Sequence, residues 1–139
     1  MNKALRSQKG FTLIELIMVI VILAFLSVVA VPIYVDLRTQ AKEANENAVV
    51  AGVRAGVLTQ YVKTIRDGGT GAYPTDLDDV ADATACTEAA ACFTKIMGAS
   101  GVTSQWSKVS ETANTDATYT SPTTSTWVYT VTDGTFLKQ

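Results

Sequence analysis

Between Leu16 and Val31 the only residue that is not apolar is Ser27. This run lies inside a longer block, FTLIELIMVIVILAFLSVVAVPIYV, residues 11–35. As a helix the block would span about 37 Å, more than the ~30 Å hydrocarbon core of a bilayer. The chain has 139 residues and a mass of 14.8 kDa, enough for one domain. A domain of that size cannot bury a helix that is apolar on every side, so the block reads as a membrane span. The ten residues before it, MNKALRSQKG, carry Lys3, Arg6 and Lys9 and no acid. That bias puts the N-terminus on the cytoplasmic side. It is modest, because Arg38 and Lys42 follow on the other flank.

A plain anchor and a secretory signal cut near Ala30 are the simplest readings of such a block. Neither explains Glu15. A carboxylate inside an apolar span costs a few kcal/mol on insertion, and neither an anchor nor a signal gains anything from it. The segment GFTLIE, Gly10–Glu15, follows a short basic leader and opens the apolar run. It resembles the type IV prepilin motif, and the likeness covers about residues 1–55. The resemblance implies a cut between Gly10 and Phe11 by a membrane-embedded prepilin peptidase, then N-methylation of Phe11. It implies that Glu15 serves subunit docking and that Pro32 bends the helix.

The chemistry of these residues suits those roles. Glycine leaves no side chain in the peptidase site and permits an extended backbone. The cut turns Phe11 into a new α-amine, positively charged near neutral pH. In a fibre, that amine on a neighbouring subunit would neutralise Glu15, since a buried carboxylate needs a partner or a proton. Glu15 would then act as a register pin. The competing reading puts Glu15 at headgroup level, facing water. Pro32 lacks an N–H and its ring clashes with the carbonyl four residues earlier. A kink or a locally melted stretch over Ser27–Val31 is expected, in preference to a helix that ends there.

From Asp36 a helical pattern resumes. Leu37, Ala41, Ala44, Ala48, Ala51, Ala55, Leu58, Val62 and Ile65 recur in steps of three and four, and Val49, Val53, Val57 and Tyr61 broaden the stripe. Lys42, Glu43, Glu46, Arg54 and Lys63 mark a polar face. The stripe is expected to pack on the chain's own sheet, and Gly68–Gly69 to stop the helix. Gly52 and Gly56 suit close packing, although a Gly-x-x-x-Gly pair is weak evidence outside a membrane.

The rest of the chain is rich in Thr, Ala, Ser and Gly. Asp76, Asp78, Asp79 and Asp82 lie in YPTDLDDVADAT. They read as a solvated turn and helix start, with an N-cap at Thr75 or Asp76. Calcium is the weaker reading, because the ordered Asp-x-Asp-x-Asp-Gly spacing is missing. Cys86 and Cys92 are the two cysteines, so one disulfide at most can form, and in an oxidising compartment it is the default. Strands are expected at Gln105–Val109, Ser125–Thr132 and Thr135–Leu137, the last two joined by a tight turn at Asp133–Gly134. Trp106, Trp127, Val131 and Phe136 are candidates to meet the helix. Ser110–Thr126 reads as an exposed polar loop, undecorated in preference to carrying O-linked sugar on its hydroxyls.

Enzymatic function finds no support. The chain has no His, hence no Ser/His/Asp or Cys/His set, and no catalytic carboxylate pair stands out. GGTG at Gly68–Gly71 follows a helix and does not open one, so it is no phosphate loop. With 11 Lys+Arg against 13 Asp+Glu, bulk charge gives no footing for nucleic-acid binding. No metal or cofactor is expected.

The fold class is α+β: a long N-terminal helix packed on a small antiparallel sheet. Its parts are a leader (1–10), a membrane and assembly helix (11–35), an amphipathic helix (36–67) and a globular head (68–139). The resemblance implies a structural subunit of a type IV pilus, a helical homo-oligomer polymerised from the inner membrane. It implies a prepilin peptidase, an assembly ATPase and a platform protein as partners, and roles in adhesion, twitching motility or DNA uptake. A pseudopilin of a type II secretion system, ending in the periplasm, is the nearest alternative. The C-terminal TVTDGTFLKQ lacks the Asp- and Gly-rich calcium loop usual in the major pseudopilin. A minor pilin and a monomeric anchored binding protein are further readings. The cysteine pair departs from the larger C-terminal disulfide loop of many pilins, which weakens any transfer of adhesion.

Overall fold

The computed structural model describes residues 10–112 and 116–139. The leader before Gly10, with Lys3, Arg6 and Lys9, lies outside the described residues. Among the described residues seven elements follow in order: α1 (Leu13–Arg66), β1 (Thr84–Ala85), α2 (Thr94–Met97), β2 (Ser107–Thr112), β3 (Asp116–Thr120), β4 (Thr126–Thr130) and β5 (Thr135–Lys138). The chain divides into two units, Met1–Arg38 and Thr39–Gln139.

In the first unit, every described residue is exposed. Among the described residues α1 is the one helix long and apolar enough to cross a membrane, and none of its most apolar window is buried. Ser27, the one non-apolar residue between Leu16 and Val31, donates to the Leu23 carbonyl at 2.8 Å, so its hydroxyl is met within the helix. The helix runs through Pro32 without a break. The melted stretch expected over Ser27–Val31 is therefore not observed, and neither is a helix end.

In the second unit, α1 lies on a five-stranded antiparallel sheet of order β1-β2-β3-β4-β5, each strand paired with the next in sequence. The α+β class stands. The expected stripe is borne out on its broadening side, at Val49, Val53 and Val57, and not along its main line. Glu46, Val49, Val50, Val53, Gly56 and Val57 are its buried residues. Ala44, Ala48, Ala51, Ala55, Leu58, Val62 and Ile65 are exposed, on nearly the opposite side. The reason is volume. A sheet rich in Trp, Tyr and Phe leaves a gap that valines fill, and each buries more apolar surface than an alanine.

The core joins those valines to Leu77, Phe93, Trp106, Tyr119, Trp127, Tyr129 and Phe136. Phe93 sits at its centre, with ring centroids 4.5 Å from Tyr119, 5.7 Å from Trp106 and 5.9 Å from Phe136. Val131 packs against it, partly buried. Gly56 lets α2 approach: a Cβ there would stand 2.6 Å from the Ile96 carbonyl oxygen.

Strand β5 matches its expected place, β4 ends two residues short of its expected end, and β2 starts two residues late and runs three beyond. The turn is longer than Asp133–Gly134 alone, occupying Val131–Gly134, and closes with the Gly134 N–H on the Thr130 carbonyl at 2.9 Å. Gly134 takes φ +67, and a Cβ there would run into the Tyr73 ring. The expected loop Ser110–Thr126 instead holds the end of β2 and all of β3. Its alternation is hidden by hydroxyls: Ala117 and Tyr119 are buried, Thr118 and Thr120 point outward. Asp76–Asp82 starts no helix, and Leu77, Asp78 and Val80 of that stretch are buried. The Cys86–Cys92 disulfide is formed, with Cα atoms 5.4 Å apart and both cysteines buried. It ties the residue after β1 to Cys92, which bridges Val102.

Candidate functional site: the start of the long helix

Helix α1 begins at Leu13 because Thr12 caps it. The Glu15 amide donates to the Thr12 hydroxyl at 3.3 Å, while the Thr12 amide and hydroxyl each donate to Glu15 Oε2 at 3.2 Å. This is a capping box, Thr-x-x-Glu, in which each residue satisfies a backbone donor of the other. The carboxylate also lies at the positive end of the helix dipole. Glu15 is thus held by its own first turn. The sequence reading missed this second role, although the Thr12 and Glu15 spacing was there to be read.

Gly10 and Phe11 lie just outside the helix. Both are exposed, and nothing would meet a Cβ at Gly10 within 4 Å. Phe11 is 87% exposed. The structure therefore brings Gly10, Phe11 and Glu15 into one short segment at a helix start. Pro32 lies further along the same helix, and Cys86 and Cys92 lie in the other unit.

Comparison with known proteins bears on this segment. Residues 5–31 match the family described as the prokaryotic N-terminal methylation motif. The chain therefore carries at its N-terminus the methylation motif of prepilin-type proteins. It is 51% identical over 55 residues to the type IV narrow pilus major component PilA5 of Thermus thermophilus. The match takes in 40% of this chain and 47% of that protein, so the chain spans about half the length of the curated relative it matches. No solved structure matches.

Two buried polar clusters in the head escaped the sequence reading. Glu46, assigned to a solvated face, is 4% exposed. Its Oε1 accepts from Trp127 Nε1 at 2.8 Å. Its Oε2 accepts from the hydroxyls of Ser121, at 2.9 Å, and Thr123. Lys138 Nζ lies 3.8 Å from Oε1. Burial would raise the Glu46 pKa, but the hydrogen bonds from Thr123, Trp127 and Ser121, with the Lys138 charge, outweigh it and hold the carboxyl below its ordinary value. Arg54, also assigned to the polar face, donates from Nε and Nη2 to the Phe136 carbonyl at 3.1 and 2.9 Å. The signal for Glu46 was its place three, four and seven residues before Val49, Val50 and Val53.

The second cluster centres on Asp78. Its Oδ2 accepts from the Phe93 amide at 3.0 Å and the Tyr119 hydroxyl at 2.9 Å. Its Oδ1 accepts from the Val80 amide at 3.1 Å and Lys108 Nζ at 3.2 Å. Lys108 Nζ also meets Glu111 Oε2. Burial pulls the Lys108 ammonium down, but the bonds and charges of Glu111 and Asp78 outweigh it and hold it above the ordinary lysine value. Burial, with Asp78 beside it, pushes the Tyr119 hydroxyl far up. Nothing distinguished Asp78 from its three neighbouring aspartates in the sequence. Among the described residues no group of three or more acidic or cysteine side chains is arranged to hold a metal ion.

Proposed function

We propose that this chain is the structural subunit of a type IV pilus. It is cut between Gly10 and Phe11 by a prepilin peptidase, methylated on the Phe11 amine, and drawn from the inner membrane into a helical filament of identical copies. An assembly ATPase and a platform protein drive that step. The single observation that carries this reading is the methylation motif over residues 5–31 coinciding with a helix start whose next turns are apolar and wholly exposed. Such a surface needs a cover, lipid before assembly and other copies after it. Similarity to the major component of a narrow pilus supports a pilin subunit.

The test is to shear filaments from the native host, then sequence the N-terminus and weigh the intact protein. The expected result is sheared fibre whose main protein starts at Phe11 and carries one added methyl. A mature start elsewhere, or an uncut leader, sinks the reading. Correct processing without surface fibre points to the pseudopilus.

A further inference from the structure

The Asp78 and Lys108 side chains are 0% and 1% exposed, an ion pair shut inside the head. A buried pair of this kind is weak as a source of stability, because desolvation offsets the attraction. Its parts, however, are those of a condensation. Lys108 Nζ is a nitrogen nucleophile 3.2 Å from Asp78 Oδ1. The Phe93 amide and Tyr119 hydroxyl, at 3.0 and 2.9 Å, both face Asp78 Oδ2. Glu111 touches the same Nζ through Oε2, and its carboxyl also interacts with that of Asp76. A nucleophile, a carboxyl carbon with two donors on one oxygen, and a carboxyl able to carry the nucleophile's proton stand together.

We propose that Lys108 and Asp78 condense into an intramolecular amide, with Glu111 carrying the protons. Glu111 takes one proton from the ammonium and passes it to Asp78 Oδ1, leaving a neutral amine beside a neutral carboxylic acid. Nζ gives up its bond to Oδ1 and attacks Cγ. Negative charge then gathers on Oδ2, where the Phe93 and Tyr119 donors already wait. A second proton travels from Nζ through Glu111 to Oδ1, the Cγ–Oδ1 bond breaks, and Oδ1 leaves as water. Ammonium plus carboxylate becomes amide plus one water, and Glu111 ends as it began. No oxidant or second reactant enters. Enforced proximity favours the step, and so does the removal of two buried charges. The bond would tie the segment before β1 to β2, and the proposal goes beyond the filament reading without resting on it.

The test uses the full chain, extracted in detergent, with its disulfide reduced and alkylated. Intact mass should fall one water below the value for the processed sequence. Tryptic digestion should give a branched peptide joining Asp78 to Lys108, with no cleavage after Lys108. Glu111→Gln, folded by thermal melt, should stay at full mass, as should Lys108→Arg. Full mass and ordinary cleavage after Lys108 in the folded wild-type protein would overturn the proposal. Water loss that maps elsewhere would overturn it too, and water loss that persists in Glu111→Gln would remove the role given to Glu111.

Discussion

In the isolated chain the Glu15 carboxylate closes the first turn of its own helix through Thr12. In a fibre the same carboxylate would meet the Phe11 amine of a neighbour. Glu15→Gln keeps the shape and the ability to cap, and loses only the charge. Glu15→Ala loses both. Both variants are expected to be cut after Gly10 and to reach the membrane in wild-type amounts, yet to give little sheared fibre. Comparing membrane-bound mature protein with sheared fibre, in a strain lacking the native subunit, decides it. Wild-type fibre from Glu15→Gln would show that the charge is not needed. Glu46 makes a second test at this scale. Glu46→Ala leaves the buried Trp127 N–H unmet and is expected to cost about 1–3 kcal/mol in a denaturant melt. The Glu46 carboxyl is held below its ordinary value, so its contribution is full above the unfolded carboxylate pKa and fades as pH falls through the lowered one. The stability gap between wild type and Glu46→Gln should therefore narrow in acid. A gap that stays constant down to the acid limit would contradict this. The capping box was legible, since Thr and Glu three apart before an apolar run is a known start signal. Asp78 was not, because burial of one aspartate among four is set by distant strands.

The long helix was legible from its period, and its stop from Gly68–Gly69. Its inner face was not. Counting Ala and Val alike gave the longer stripe, whereas the sheet selects for volume, and Glu46 masked the true face by its charge. That correction can be measured. Gly56→Val forces a branched side chain against the Ile96 carbonyl and is expected to destabilise the head by about 1–3 kcal/mol. Ala48→Val, on the expected stripe, should stay within about 0.5 kcal/mol of wild type, since Ala48 is exposed. Reversed outcomes in matched melts would restore the original face. Among the strands, β4 was readable because STWVYTVT concentrates aromatic and β-branched residues. The strand β3 was read as loop because its outward positions are Thr and its inward pair includes a small Ala, so hydrophobic alternation is faint.

For the molecule as a whole, both cysteines are engaged, and the exported protein should show no free thiol. Labelling under denaturing, non-reducing conditions reads this directly, and two alkylated cysteines would refute it. The bond closes a small loop, so the Cys86→Ser, Cys92→Ser double variant should lose about 2 kcal/mol of head stability. Membrane fractionation of that variant should match wild type. Strand order carries a consequence in time. Because each strand pairs with the one just before it in sequence, a head threaded outward behind its helix can grow strand by strand as it emerges, and pairing is never held up for a distant segment. Two side chains must wait. In a chain exported that way, Glu46 and Arg54 would leave early, on the helix, while Trp127 and the Phe136 carbonyl would come out near the end. The last stretch of chain to arrive is the one that settles the first.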